Sequence, residues 1–100
     1  MTEPALPALT SPRLPLGRVV ATPAAIAALS EAGVSVYLLL NRHARGDWGE
    51  LCEEDRLQNL LAVNTGQRVV SSYRLGNRQK VLIITEADRA GTTVLLPEDY

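Results

Sequence analysis

The chain has no phenylalanine and only one cysteine, one histidine, one tryptophan and one methionine in 100 residues. Each scarcity closes off a class of chemistry. A single Cys52 admits no intramolecular disulfide and requires no oxidising compartment, so the cytoplasm is the expected location. One Cys and one His cannot complete a tetrahedral zinc site, and no second ligand cluster is spaced for another metal. Without Phe, the aromatics are Trp48, Tyr37, Tyr73 and Tyr100, and a core must rest on Leu, Val, Ile and Ala. At 46% hydrophobic residues, that supply is enough for ordered packing. The net charge of −1 and pI near 5.7 provide none of the positive field of a dedicated nucleic-acid binder, so nucleic acid is a disfavoured partner. There is no phosphate-cradling glycine loop and no G-x-S-x-G, so no cofactor is implied. The opening Met-Thr-Glu-Pro-Ala-Leu-Pro lacks a basic stretch followed by an apolar one. No apolar run approaches the roughly 20 residues that span a bilayer, so neither export by a signal peptide nor a membrane is expected.

What is present divides into an arm and one domain. Pro4, Pro7, Pro12 and Pro15 lock backbone angles and remove amide donors, so residues 1–15 read as a flexible or extended proline-rich arm. Residues 16–100 form a single domain, because a chain this short buries only about two-thirds of its unfolded surface. Thr22-Pro23 starts a helix over 23–32 that stops at Gly33. Ser35 caps a second helix, with Val36, Leu39, Leu40 and His43 on one stripe, that ends by Gly46. Glu53, Glu54 and Asp55 suit the positive end of a third, which carries Leu57, Leu60 and Leu61 on one face and stops at Gly66. The period then changes to two. Val69, Ser71 and Tyr73 alternate with Val70, Ser72 and Arg74, and Gly76-Asn77 supplies a turn. Val81-Leu-Ile-Ile84 reads as a central strand, and Thr92-Thr-Val-Leu-Leu96 as another that Pro97 ends. Arg18-Val-Val-Ala21 can add a short edge strand. The expected fold is α+β: three N-terminal helices packed on one face of a three-stranded antiparallel meander.

Three places can carry function. His43, the one side chain whose ordinary pKa lies near neutrality, suits general acid–base work, but it equally suits a helix C-terminus or a structural position on the apolar stripe. Asp47 and Trp48, between Gly46 and Gly49, make a turn in which Trp48 plugs the gap between helices. Exposed beside Arg42 and Arg45, the same Trp would instead be a contact for protein or a stacked base. Glu86, Asp88 and Arg89 occupy a loop between strands, where two carboxylates could share a proton or a metal, or simply form a solvated turn. Nine of the ten basic residues are Arg, which codon bias explains as readily as anion recognition.

The strings Arg42-His-Ala-Arg-Gly-Asp-Trp-Gly49, Ile84-Thr-Glu-Ala-Asp-Arg89 and Thr92-Thr-Val-Leu-Leu-Pro-Glu-Asp-Tyr100 resemble those of small plasmid-related bacterial proteins encoded on plasmids and integrative conjugative elements. The resemblance covers roughly residues 15–100 and implies a mobile-element accessory, such as an anti-restriction or anti-CRISPR protein acting on a host or element-encoded partner. The restriction-modification label attached to some members does not suit this chain, which lacks a methyltransferase's glycine loop. Two functions follow. The first is a non-enzymatic protein-binding module using Arg42, Arg45, Asp47, Trp48, Glu86, Asp88 and Arg89. The second is a small ribonuclease of the RelE or barnase-like type, with His43 or Glu86 as acid–base and Arg68, Arg74 or Arg89 stabilising phosphate charge.

Overall fold

A computed structural model describes residues 13–76 and 78–100. The proline-rich arm is therefore described only from residue 13, and Asn77 of the expected turn lies outside the described residues. The elements run β1 (Arg18–Ala21), α1 (Pro23–Ala32), α2 (Val36–Ala44), α3 (Glu53–Thr65), β2 (Val69–Arg74), β3 (Lys80–Thr85), β4 (Gly91–Leu95) and a 3₁₀ turn (Pro97–Asp99). Caps set the helix ends. The Thr22 side chain accepts from the Ala25 amide with Pro23 in the first turn, and Gly33 closes α1 in the left-handed region at φ 68°. Ser35 caps α2 by accepting from the Tyr37 amide. α3 has no side-chain cap at Cys52 and relies on Glu53, Glu54 and Asp55 against its dipole.

The three-stranded antiparallel meander expected from the sequence is corrected by the sheet. It has four strands in the order β1-β4-β3-β2 and is mixed, because β1 runs parallel to β4 with Arg18 opposite Gly91 and Ala21 opposite Val94. The helices are not all N-terminal to the sheet, since β1 precedes them. Two long-range amide bonds, Arg18 N–H to Ala90 O and Thr22 N–H to Val94 O, hold the added strand. Four residues with Val19 and Val20 largely exposed carry too little periodicity to announce such a pairing. β4 is consequently an interior strand, and Pro97 ends it after its ladder is complete. β2, β3 and β4 pair antiparallel, Tyr73 opposite Val81 and Ile83 opposite Val94.

One sheet face carries Tyr73, Val81, Ile83 and Val94, and against it pack Ala25, Ala28 and Leu29 of α1 with Leu39 and Leu40 of α2. Burial and a hydrogen bond from its hydroxyl to Asp47 O make Tyr73 a core residue, and burial pushes its pKa up to about 12. α3 contributes differently. It sits against the β2 edge, where the Asn59 amide group bonds both Val70 N–H and Val70 O, and Ala62 joins Leu14, Trp48 and Val69 in a second, smaller cluster. The chain's end ties the two edges of the sheet: Asp99 accepts from the Thr22 hydroxyl beyond β1, and Tyr100 accepts from Arg68 before β2. Among the described residues no single helix is long and apolar enough to cross a membrane.

Candidate functional site: an arginine-lined cleft

Leu14 is buried and its amide donates to Ala44 O, which lays residues 13–15 alongside the end of α2. That placement leaves a cleft of about 490 Å³ walled by Arg13, Leu14 and Pro15 on one side, by His43, Ala44, Arg45, Gly46 and Trp48 on another, and by Leu60, Val63 and Asn64 of α3 with Arg89 on the third. Its described lining contains three arginines and no carboxylate. None of the three has a carboxylate within ion-pair distance among the described residues, whereas Arg42 pairs with Asp47 and Arg74 and Lys80 pair with Glu50. In a chain of net charge −1, three unpaired cations at one apolar-walled cleft concentrate positive potential there.

The three arginines are held differently. Arg89 sits at φ 61°, and its guanidinium donates to Ala62 O, Gln67 O and Glu86 O. It thereby adds a charged donor to Ala62 O, which already accepts from the Gly66 and Gln67 amides at the end of α3, while its own charge stays uncompensated. Arg13 donates to the neutral Asn41 Oδ1, which fixes its position without neutralising it. Arg45 is exposed, and no side-chain partner holds it among the described residues; its field contributes last and least to the depressed pKa of Asp47, which the Arg42 hydrogen bonds dominate.

Trp48 is 6% exposed and forms part of the cleft wall, and its indole N–H is buried without an acceptor among the described residues. A buried donor left unpaired costs about 1–3 kcal/mol, so an acceptor reaching it from the cleft would be rewarded. The backbone beside Trp48 is fixed by its neighbour. Gly49 lies at φ 76°, and a Cβ there would overlap the Ser72 carbonyl, so the turn can approach β2 only as glycine. Trp48 O accepts from Ser72 N–H, and Glu50 N–H donates to Ser72 O.

His43 also borders the cleft, although none of its surface is exposed to solvent. Its Nδ1 is 2.5 Å from Ser71 Oγ and its Nε2 2.9 Å from Thr85 Oγ1, which is 2.7 Å from Thr92 Oγ1. Thr92 donates onward to Leu16 O. A carbonyl only accepts, so the direction of the whole chain follows: Thr85 donates to Thr92, His43 donates from Nε2 to Thr85, and Ser71 donates to Nδ1. Every member is satisfied only by the neutral Nε2–H tautomer. Burial lowers the His43 pKa to about 4, in agreement with that arrangement.

The residues singled out in the sequence separate into three groups. His43, Arg45, Trp48 and Arg89 meet at the cleft, although the 42–48 turn and the 86–89 loop are far apart in the chain. Arg42 and Asp47 close on each other at 2.7 and 3.1 Å, with the Arg42 guanidinium 4.7 Å from the centre of the Tyr73 ring, and so stiffen the turn. Asp88 accepts from the Ala90 amide and makes no ion pair with Arg89 among the described residues, and Glu86 is exposed outside the lining. His43 and Glu86 therefore do not share a site, and Arg68 and Arg74 engage Tyr100 and Glu50 instead. Among the described residues there is no cluster of three metal-ligating side chains. Arg13, Leu60 and Val63 went unrecognised in the sequence; a lone Arg after a proline and two residues of an apolar helix carry no local signal of a shared wall.

Comparison with protein-family models, with curated proteins and with solved structures returns no match.

Proposed function

We propose that the protein is a non-enzymatic binding module whose cleft receives a protein segment presenting carboxylates beside apolar side chains. One observation carries the reading: three arginines that have no ion-pair partner among the described residues surround an apolar-walled cleft that contains Trp48 and, among its described lining residues, no acid. Arginines suit carboxylates by bidentate geometry, while Leu14, Leu60, Val63 and Trp48 offer the desolvated surface that makes such pairs count. The counter-defence role implied by the plasmid-related resemblance is a special case, in which the acidic segment belongs to a host defence protein. A cytoplasmic setting accords with the exposed free thiol of Cys52.

The ribonuclease alternative draws less support. Both nitrogens of His43 are engaged within the fold, and its lowered pKa leaves it a poor proton donor near neutrality. The test uses the single Trp48 as its own reporter. Titration with a short synthetic peptide of alternating Glu and Leu is expected to change Trp48 emission, to weaken steeply with salt, and to fail in Arg13→Ala/Arg45→Ala. An equal response to the Lys-for-Glu peptide, or none to either, would overturn the reading. RNA cleavage abolished by His43→Gln would establish the alternative.

A further inference from the structure

The leucines expected to seat α3 on the core point the other way. With about 100° between successive residues, Asn59 and Ala62, the two buried positions, define the inner side of the helix. Leu57 falls nearly opposite them, with Leu60 and Leu61 flanking it on either side, Leu60 toward the cleft. Leu57, Leu60 and Leu61 are 53%, 53% and 58% exposed. A helix that buries two residues of thirteen while presenting a row of leucines to water is a helix built to be covered.

The charge around that row says by what. Glu53, Glu54 and Asp55 cluster at the start of α3 and make no ion pair among the described residues. Near its other end, Asn64 shares the cleft wall with Arg13 and Arg45, which likewise have no carboxylate partner. Along the helix there thus follow an acidic turn, a leucine row and, supplied by the neighbouring segments at the cleft, an arginine rim. Read in the reverse direction, that order is its own complement. An isologous two-fold contact demands such self-complementarity. The acidic turn also disfavours an anionic membrane as the cover.

We propose that α3 pairs antiparallel with α3 of a second copy, Leu57 of each against Leu61 of the other, with Glu53 and Glu54 of each beside Arg13 and Arg45 of its partner. The contact rests on the arginines that also carry the cleft reading, and on a leucine face that reading does not use. The two-fold axis passes near Leu60, so both arginine rims are engaged at once. Pairing withdraws the leucines from water and neutralises the cations at the mouth of each cleft, so the dimer and an acidic peptide compete for Arg45.

Analytical ultracentrifugation under reducing conditions, which exclude a Cys52 disulfide, tests this. Wild type is expected to sediment at twice its 10.8 kDa mass at high concentration and to dissociate on dilution. Leu57→Glu/Leu61→Glu is expected to be monomeric throughout, with unchanged circular dichroism because both positions are exposed. The decisive arm is a charge exchange. Glu53→Arg/Glu54→Arg and Arg13→Glu/Arg45→Glu should each weaken self-association by about tenfold or more through like-charge contact. Mixed together they should recover wild-type dimer, since each copy then supplies what the other lost. A wild type that stays monomeric up to millimolar concentration overturns the proposal and leaves the leucine face to another protein; so does a dimer indifferent to Leu57→Glu/Leu61→Glu, or a mixture no tighter than its components. The two readings part in the Leu57→Glu/Leu61→Glu monomer. Retained binding of the Glu/Leu peptide there upholds the cleft whatever becomes of the dimer, and lost binding there strikes the cleft alone.

Discussion

The imidazole of His43 donates through Nε2 to Thr85 Oγ1 at 2.9 Å, inside the core and across the gap between α2 and β3. This bond is the middle link of a one-directional chain from Ser71 to the Leu16 carbonyl. It joins the segment before β1, the helix layer and three positions on one sheet face, so it braces the fold at the back of the cleft.

The chain makes stability depend on pH in a window set by His43. Its pKa falls from the ordinary 6.5 to about 4 on folding, because burial penalises the imidazolium. Between those values the unfolded chain binds a proton that the folded chain refuses, so the stabilisation is complete above about pH 6.5 and is lost as the pH falls toward 4. At 1.36 kcal/mol per pKa unit the loss reaches about 3 kcal/mol. Urea unfolding at intervals from pH 7 to 4.5 should show this decline. His43→Gln should lower stability at pH 7 and flatten the slope; an unchanged slope would refute the assignment.

Arg89 tests whether a cleft residue is also structural. Arg89→Ala removes charged donors from Ala62 O and Gln67 O at the end of α3. A loss of about 2 kcal/mol is expected, together with faster hydrogen exchange across α3, which has little other burial to retain it. Hydrogen-exchange mass spectrometry reads the effect, and protection unchanged in α3 would show that the helix does not depend on this cap.

Trp48 separates packing from hydrogen bonding. Trp48→Phe removes the buried donor that has no acceptor among the described residues, and the relieved desolvation offsets part of the lost contact, so a change within about 1 kcal/mol is expected. Trp48→Ala should cost about 3–5 kcal/mol by leaving a cavity among Leu14, Ala62 and Val69. Chemical denaturation of the two variants measures the difference. If Phe proves as costly as Ala, the indole nitrogen has a partner that matters.

Arg42 is expected to resist replacement by Lys. The guanidinium makes two bonds to Asp47 and lies over Tyr73, a combination that one ammonium cannot reproduce. The pair is partly exposed and screened, so Arg42→Lys should cost about 1 kcal/mol. Thermal melts in low and high salt should show the gap narrowing with salt. A gap that does not respond to salt would assign the effect to packing on Tyr73.

The sequence alone determined the local elements. Thr22-Pro23, Gly33, Ser35 and Gly66 bound their helices because capping bonds and left-handed turns are satisfied within a few residues. The alternation of Val69, Ser71 and Tyr73 placed one face of β2 in the core for the same local reason. Tertiary structure alone decided the parallel pairing of β1 with β4, the outward turn of Leu57, Leu60 and Leu61, and the meeting of Arg13, Arg45, Trp48 and Arg89 at one cleft. Periodicity reports that a helix has an apolar face. Which face reaches the core depends on what the rest of the chain offers, and here Asn59 took the β2 backbone and Ala62 the narrow gap beneath it. Partners brought together by folding leave no trace in spacing, because the chain between them is free to vary while the contact persists.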